Sequence, residues 1–179
     1  MIHDAPRPAP TPQFSANARE DADTFVAQAI EIITRARSLV AIDRAEASDL
    51  LRIDRSRVFE LLGRYQRFKH SVIFDPVIQS GDKAQSVTAR LLKCECVMMG
   101  EAFGRYVSRW QHVNVAADWQ AYRGEMIAMS DQLLEHLRVE HAAITALLAN
   151  RPMAGSNGGG ESVASDLPLA CDTPRAAHG

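Results

Sequence analysis

Apolar residues recur at helical spacing through the middle of the chain. Between about residues 17 and 42, Phe25, Val26, Ala29, Ile33, Ala36 and Val40 repeat every three or four positions, the signature of one buried helix face. A second stretch opens at Ser48, a suitable N-cap, and runs to His70 or Ser71. It is expected to stop before Pro76, because the residue preceding a proline is pushed out of the α region. The turn at Gln79–Ser80–Gly81–Asp82 follows, with Asp82 placed to cap a third helix over about residues 83–111. Asn114 or Asp118 can open a fourth that reaches Ala149. Long amphipathic helices with short connections pack as antiparallel neighbours, so the pattern predicts an all-α, up-down-up-down four-helix bundle. No strand-like alternation competes with it.

Proline placement sets the limits of that bundle. Pro6, Pro8, Pro10 and Pro12 crowd the start and Pro152, Pro168 and Pro174 the end, leaving only Pro76 between. Helix interiors exclude proline. Residues 1–15 are therefore expected to form a disordered arm and 16–150 the bundle. In residues 151–179, 16 of 29 positions are Gly, Ala, Ser or Pro, too little apolar surface to offset ordering entropy. That segment is expected to be a disordered tail.

Composition narrows the function classes. The chain has 179 residues, 46% hydrophobic and 23% charged, with a formal charge of -2. That balance argues against a broad basic face for nucleic acid. No run approaches the roughly 20 apolar residues that span a bilayer, and no apolar leader follows a basic start, so neither a membrane partner nor secretion is expected. Three cysteines, an odd number without a framework pattern, suit a reducing cytoplasm. No P-loop, dinucleotide fingerprint, nucleophile elbow or His-Glu-x-x-His motif occurs, which leaves no enzyme signature.

The informative residues are polar ones on apolar stripes. In the fourth helix, His136 and Glu140 fall on the stripe of Tyr122, Met126, Met129, Leu133, Ile144 and Leu147. In the second, Gln66 and His70 fall among Phe59, Leu62 and Ile73, and in the third Glu95 falls among Leu91, Met98, Ala102 and Tyr106. Buried carboxylates and imidazoles need partners. Either a cation between the helices takes them as ligands, or they hydrogen-bond each other, with Arg37 at the edge of the first stripe available to neutralise a carboxylate.

Several of these residues lie in longer segments. Gln66–Arg67–Phe68–Lys69–His70 precedes Val72–Ile73–Phe74–Asp75–Pro76, and Lys93–Cys94–Glu95–Cys96 and Tyr106–Val107–Ser108–Arg109–Trp110 follow. His136–Leu137–Arg138–Val139–Glu140–His141 then leads to Ile144 and Leu147–Leu148. Together they resemble a bacterial hemerythrin-like (HHE cation-binding) domain over residues 59–148. The resemblance implies a four-helix bundle around a non-haem di-iron centre, held by His-x3-Glu or His-x3-His motifs and a further histidine. It also implies roles in oxygen binding, oxygen or redox sensing, and iron or nitric-oxide handling.

The chain departs from that ligand set. Glutamine stands at Gln66 and histidine at His70 where the family has histidine and carboxylate, and the first helix has no histidine. The inward candidates reduce to His70, Glu95, His136 and Glu140, too few histidines for a di-iron centre. The expectation is a divergent hemerythrin-like sensor or regulator. It would hold a single non-haem iron on those four residues, or no metal and a polar core. The alternative is a metal-free interaction bundle that binds a transcription or signalling partner; a redox enzyme or oxygen carrier is disfavoured. Cys94 and Cys96, two apart on a helix, read as ordinary thiols, His112 and His141 as solvated, and Met98, Met99, Met126 and Met129 as core filling. Trp110 and Trp119 are expected to staple the third helix to the fourth.

Overall fold

A computed structural model describes residues 17–41, 47–79 and 83–149. The arm 1–15, the tail 151–179 and the Asp82 cap lie outside these residues. Every regular element among the described residues is helical: α1 (Ala18–Ala41), α2 (Ser48–Phe68), α3 (Asp75–Gln79), α4 (Lys83–Trp110) and α5 (Trp119–Ala149). A π-helical segment, Lys69–Phe74, joins α2 to α3 without a break, so the described residues form four rods. None of the described helices is long and apolar enough to cross a membrane.

The second rod does not stop before Pro76, contrary to expectation. Asp75 keeps right-handed helical angles (φ −62°, ψ −43°), and its N–H bonds five residues back to the His70 carbonyl. A proline in a helix lacks a donor and its ring strikes the carbonyl four residues earlier. The wider π turn ahead of Pro76 relieves that clash, so the helix continues into α3.

Each rod packs against two others. α1 touches α2 and α5, and α4 touches α2, α3 and α5. Contacts at the two ends fix relative directions. Phe25, early in α1, stacks on Tyr65, late in α2, with ring centroids 5.3 Å apart. Arg35, late in α1, donates from Nε to Asp54, early in α2, at 2.9 Å. Asp23 likewise meets His141 near the end of α5 at 2.8 Å, while Arg37 pairs with Asp131 nearer its start. Thus α1 opposes both α2 and α5. Arg37 neutralises a surface carboxylate, not one in the core, and His141 is paired where it was expected to be solvated.

The α1 and α5 stripes fall where the sequence placed them. Val26, Ala29, Ile33, Ala36 and Val40 are buried, as are Tyr122, Met126, Leu133, Ile144 and Leu147. The third stripe is different. Ala89, Leu92, Cys96, Phe103, Tyr106 and Trp110 face the core of α4, whereas Leu91 and Met98 are exposed. Trp110 does staple α4 to α5, its ring against Tyr122 and its Nε1 donating to Glu125 at 2.8 Å, while the Trp119–Tyr122 ring contact lies within α5. Asn114 organises the connection, its Oδ1 accepting from the Ala116 N–H at 3.2 Å.

Candidate functional site: a buried ion pair beside a cavity

Five polar or charged residues are buried among the described ones: Asp54, Arg55, Lys69, Ser130 and Glu140. Two of them lie side by side at mid-core. Lys69, the first residue of the π segment, donates from Nζ to Glu140 Oε2 at 2.5 Å. Its ammonium also sits 4.2 Å from the Tyr65 ring centroid, a cation–π contact. Lysine is almost never fully buried unless paired, and here the partner comes from a different rod.

The sequence placed His70 on this stripe, one residue too far along. The buried face of α2 runs Leu51, Val58, Leu61 and Tyr65, and it continues through Lys69 to Ile73. His70 is only half-buried, its Nε2 lacks a partner, and its ring packs 5.8 Å from Phe74. Burial, helped by the nearby charges of Lys93 and Lys69, pushes its pKa below the usual histidine value. Gln66 is half-buried. Glu95 is exposed and outside the core, a correction to its placement as an inward ligand.

His136 and Glu140 do meet, as their spacing of four predicts. His136 Nε2 stands 3.7 Å from Glu140 Oε1, too far for a hydrogen bond. That oxygen and the Tyr65 hydroxyl have no hydrogen-bond partner. Burial lowers the His136 pKa against the opposing pull of Glu140, and burial raises that of the free, buried thiol Cys96. Cys94 is disulfide-bonded, so the expectation of plain thiols holds for Cys96 alone. Met98 is exposed instead of filling the core.

The four expected ligands are therefore not assembled. Among the described residues no three His, Cys, Asp or Glu side chains are grouped to hold a metal ion. The donors present do not fit an iron centre: only His136 and Glu140 converge, and an ammonium already lies against that carboxylate. A divalent cation there would face the Lys69 charge at close range in a medium of low dielectric.

A buried arginine organises the end of the core. Arg55 donates from Nη2 to the Trp110 carbonyl at 2.9 Å, satisfying one of the last carbonyls of α4. Its guanidinium also lies 5.8 Å from the Tyr122 ring centroid. Neither Lys69 nor Arg55 was singled out from the sequence. The available signal was a better phase for α2, Val58–Leu61–Tyr65–Lys69–Ile73, which carries a lysine into the core and looks unfavourable until Glu140 is seen opposite.

Beside the ion pair lies a cavity of about 270 Å³ between α2, α4 and α5, whose lining includes Lys69, Cys96 and His136. No protein-family model, curated protein or solved structure matches this chain.

Proposed function

We propose that the chain is an up-down-up-down four-helix bundle of hemerythrin-like kind in which an internal lysine takes the place of the metal, and that it acts as a sensor or regulator by binding. One observation carries this reading: the buried Lys69 ammonium lies 2.5 Å from Glu140, the carboxylate of the His136-x3-Glu140 motif. A positive charge is thus supplied from within the chain at the point where the family resemblance would put a cation. The bundle topology is supported by the opposed directions of α1 relative to α2 and α5.

Such a core needs no metal to neutralise its carboxylate. The thermal midpoint should therefore be the same before and after exhaustive chelation, and added ferrous iron should not raise it. Lys69→Ala should behave differently, because it leaves Glu140 and His136 beside an emptied space; a divalent ion should then raise its midpoint. A wild-type midpoint that falls on chelation contradicts the reading.

A second reading, a bundle that holds a protein partner, is favoured by the outer face of α4. Val87, Leu91 and Met98 are all exposed at helical spacing, Met98 by 63%. Met98→Glu should leave the fold and its melting unchanged while weakening any partner held on that face.

A further inference from the structure

One wall of the cavity between α2, α4 and α5 depends on a glycine. A Cβ added at Gly100 would come within 3.2 Å of Gln66 Oε1, closer than an ordinary contact, so the bare backbone of α4 leaves room for the Gln66 amide. Gly63 lies one turn before Arg67, whose Nη1 is 3.8 Å from where a Gly63 Cβ would be, an ordinary contact. Both glycines line the cavity.

The walls divide by chemistry. Leu62, Met99, Phe103, Leu133 and Leu137 supply an apolar interior. The polar lining comprises Gln66, Arg67, Lys69, Cys96 and His136, and it contains no carboxylate. Lys69 already faces Glu140. Arg67 is exposed and forms no ion pair with a carboxylate among the described residues. Among the described residues, one guanidinium without a carboxylate partner therefore stands at the rim of a pocket with an apolar interior.

We propose that this cavity binds a medium-chain carboxylic acid, its chain among Leu62, Met99, Phe103, Leu133 and Leu137 and its carboxylate on Arg67 and the Gln66 amide. Arginine's planar fork matches a carboxylate with two parallel hydrogen bonds, and at the rim the pair keeps part of its hydration. Small-molecule pockets run from about 300 Å³ upward. A cavity of about 270 Å³ sits at that lower limit, so it suits a chain of several carbons and excludes a long-chain lipid. The proposal rests on the metal-free reading, in which Lys69 and not an ion occupies the carboxylate beside the pocket.

The test is isothermal titration of the full chain, its metal content measured beforehand, with butanoate, hexanoate, octanoate and hexadecanoate. Each added methylene should tighten binding about twofold to fourfold up to octanoate, and hexadecanoate should gain nothing further. Octanol, which lacks the charge, and Arg67→Ala with octanoate should each bind about tenfold more weakly or worse. Met99→Trp, which fills the pocket from a half-buried position, should melt no lower than wild type and lose octanoate binding. Equal affinity for octanol and octanoate, or octanoate binding unchanged in Arg67→Ala and Met99→Trp, overturns the proposal. Metal-free protein that ignores octanoate also overturns it while leaving the metal-free reading intact. Metal-loaded protein that binds octanoate removes only that earlier reading.

Discussion

At the scale of single residues, the Lys69–Glu140 pair decides the character of the core. Both side chains are almost wholly buried. Removing one partner strands the other charge, so Lys69→Met should destabilise the fold by about 3–5 kcal/mol. The double variant Lys69→Met with Glu140→Leu should recover most of that loss, because well-packed apolar replacements of a buried pair are often neutral or better. Denaturant melts of the two single variants and the double complete the cycle; additive losses would show that the two residues do not interact. The histidines set the pH response. His70 and His136 both have pKa values lowered by burial, His136 facing Glu140, Lys69 and Glu95, and His70 facing Lys93, Lys69, Asp75 and Glu140. A histidine with a lowered folded value binds fewer protons than the unfolded chain, so its contribution is complete above the unfolded value of 6.5 and lost as pH falls below it. Calorimetry should therefore show the melting temperature dropping from pH 7 to pH 5, with a shallower drop when both histidines are glutamine. Lys69 was hidden in the sequence for a physical reason: lysine is ordinarily solvated, and only the long-range pairing with a carboxylate 71 positions away makes its burial tolerable.

At the scale of elements, the π segment Lys69–Phe74 explains the continued helix. Its wider turn changes the phase of the buried face, so Ile73 and Phe74 are both buried behind it. The misplaced stripe arises earlier, in α2, where Phe59, Leu62 and Gln66 were each counted one residue past the buried Val58, Leu61 and Tyr65. Proline in an ordinary helix interior costs about 3 kcal/mol. Because the π turn accommodates Pro76, Pro76→Ala should change stability by less than about 1 kcal/mol; a gain near the full helix-interior value would mean that the ring is strained where it stands. α4 was harder to phase for a different reason. It carries one apolar row toward the core, through Leu92, Cys96, Phe103 and Trp110, and another toward solvent, through Val87, Leu91 and Met98. Periodicity alone gives two solutions there, and the sequence reading took the outer one, which carried Glu95 into the expected ligand set. In α1 and α5 a single row exists, and it was legible.

At the scale of the whole molecule, four amphipathic rods and short connections were enough to anticipate an all-helical protein, since each rod has one face to bury and only its neighbours to bury it against. The candidate site was legible in part. His136 and Glu140 come from one helix with a fixed spacing, and they meet as expected. The charge that completes them comes from another rod, at a position that the phase of α2 turns inward but that only the pairing with Glu140 makes tolerable. The central claim is that this charge belongs to a lysine and not to a metal. The direct measurement is the metal content of untagged protein purified without chelators, by inductively coupled plasma mass spectrometry, with helicity recorded on the same sample. The account predicts a fully helical protein with iron, zinc and manganese at background. Iron at one or two atoms per chain, retained by wild type and lost in His136→Ala, would contradict it.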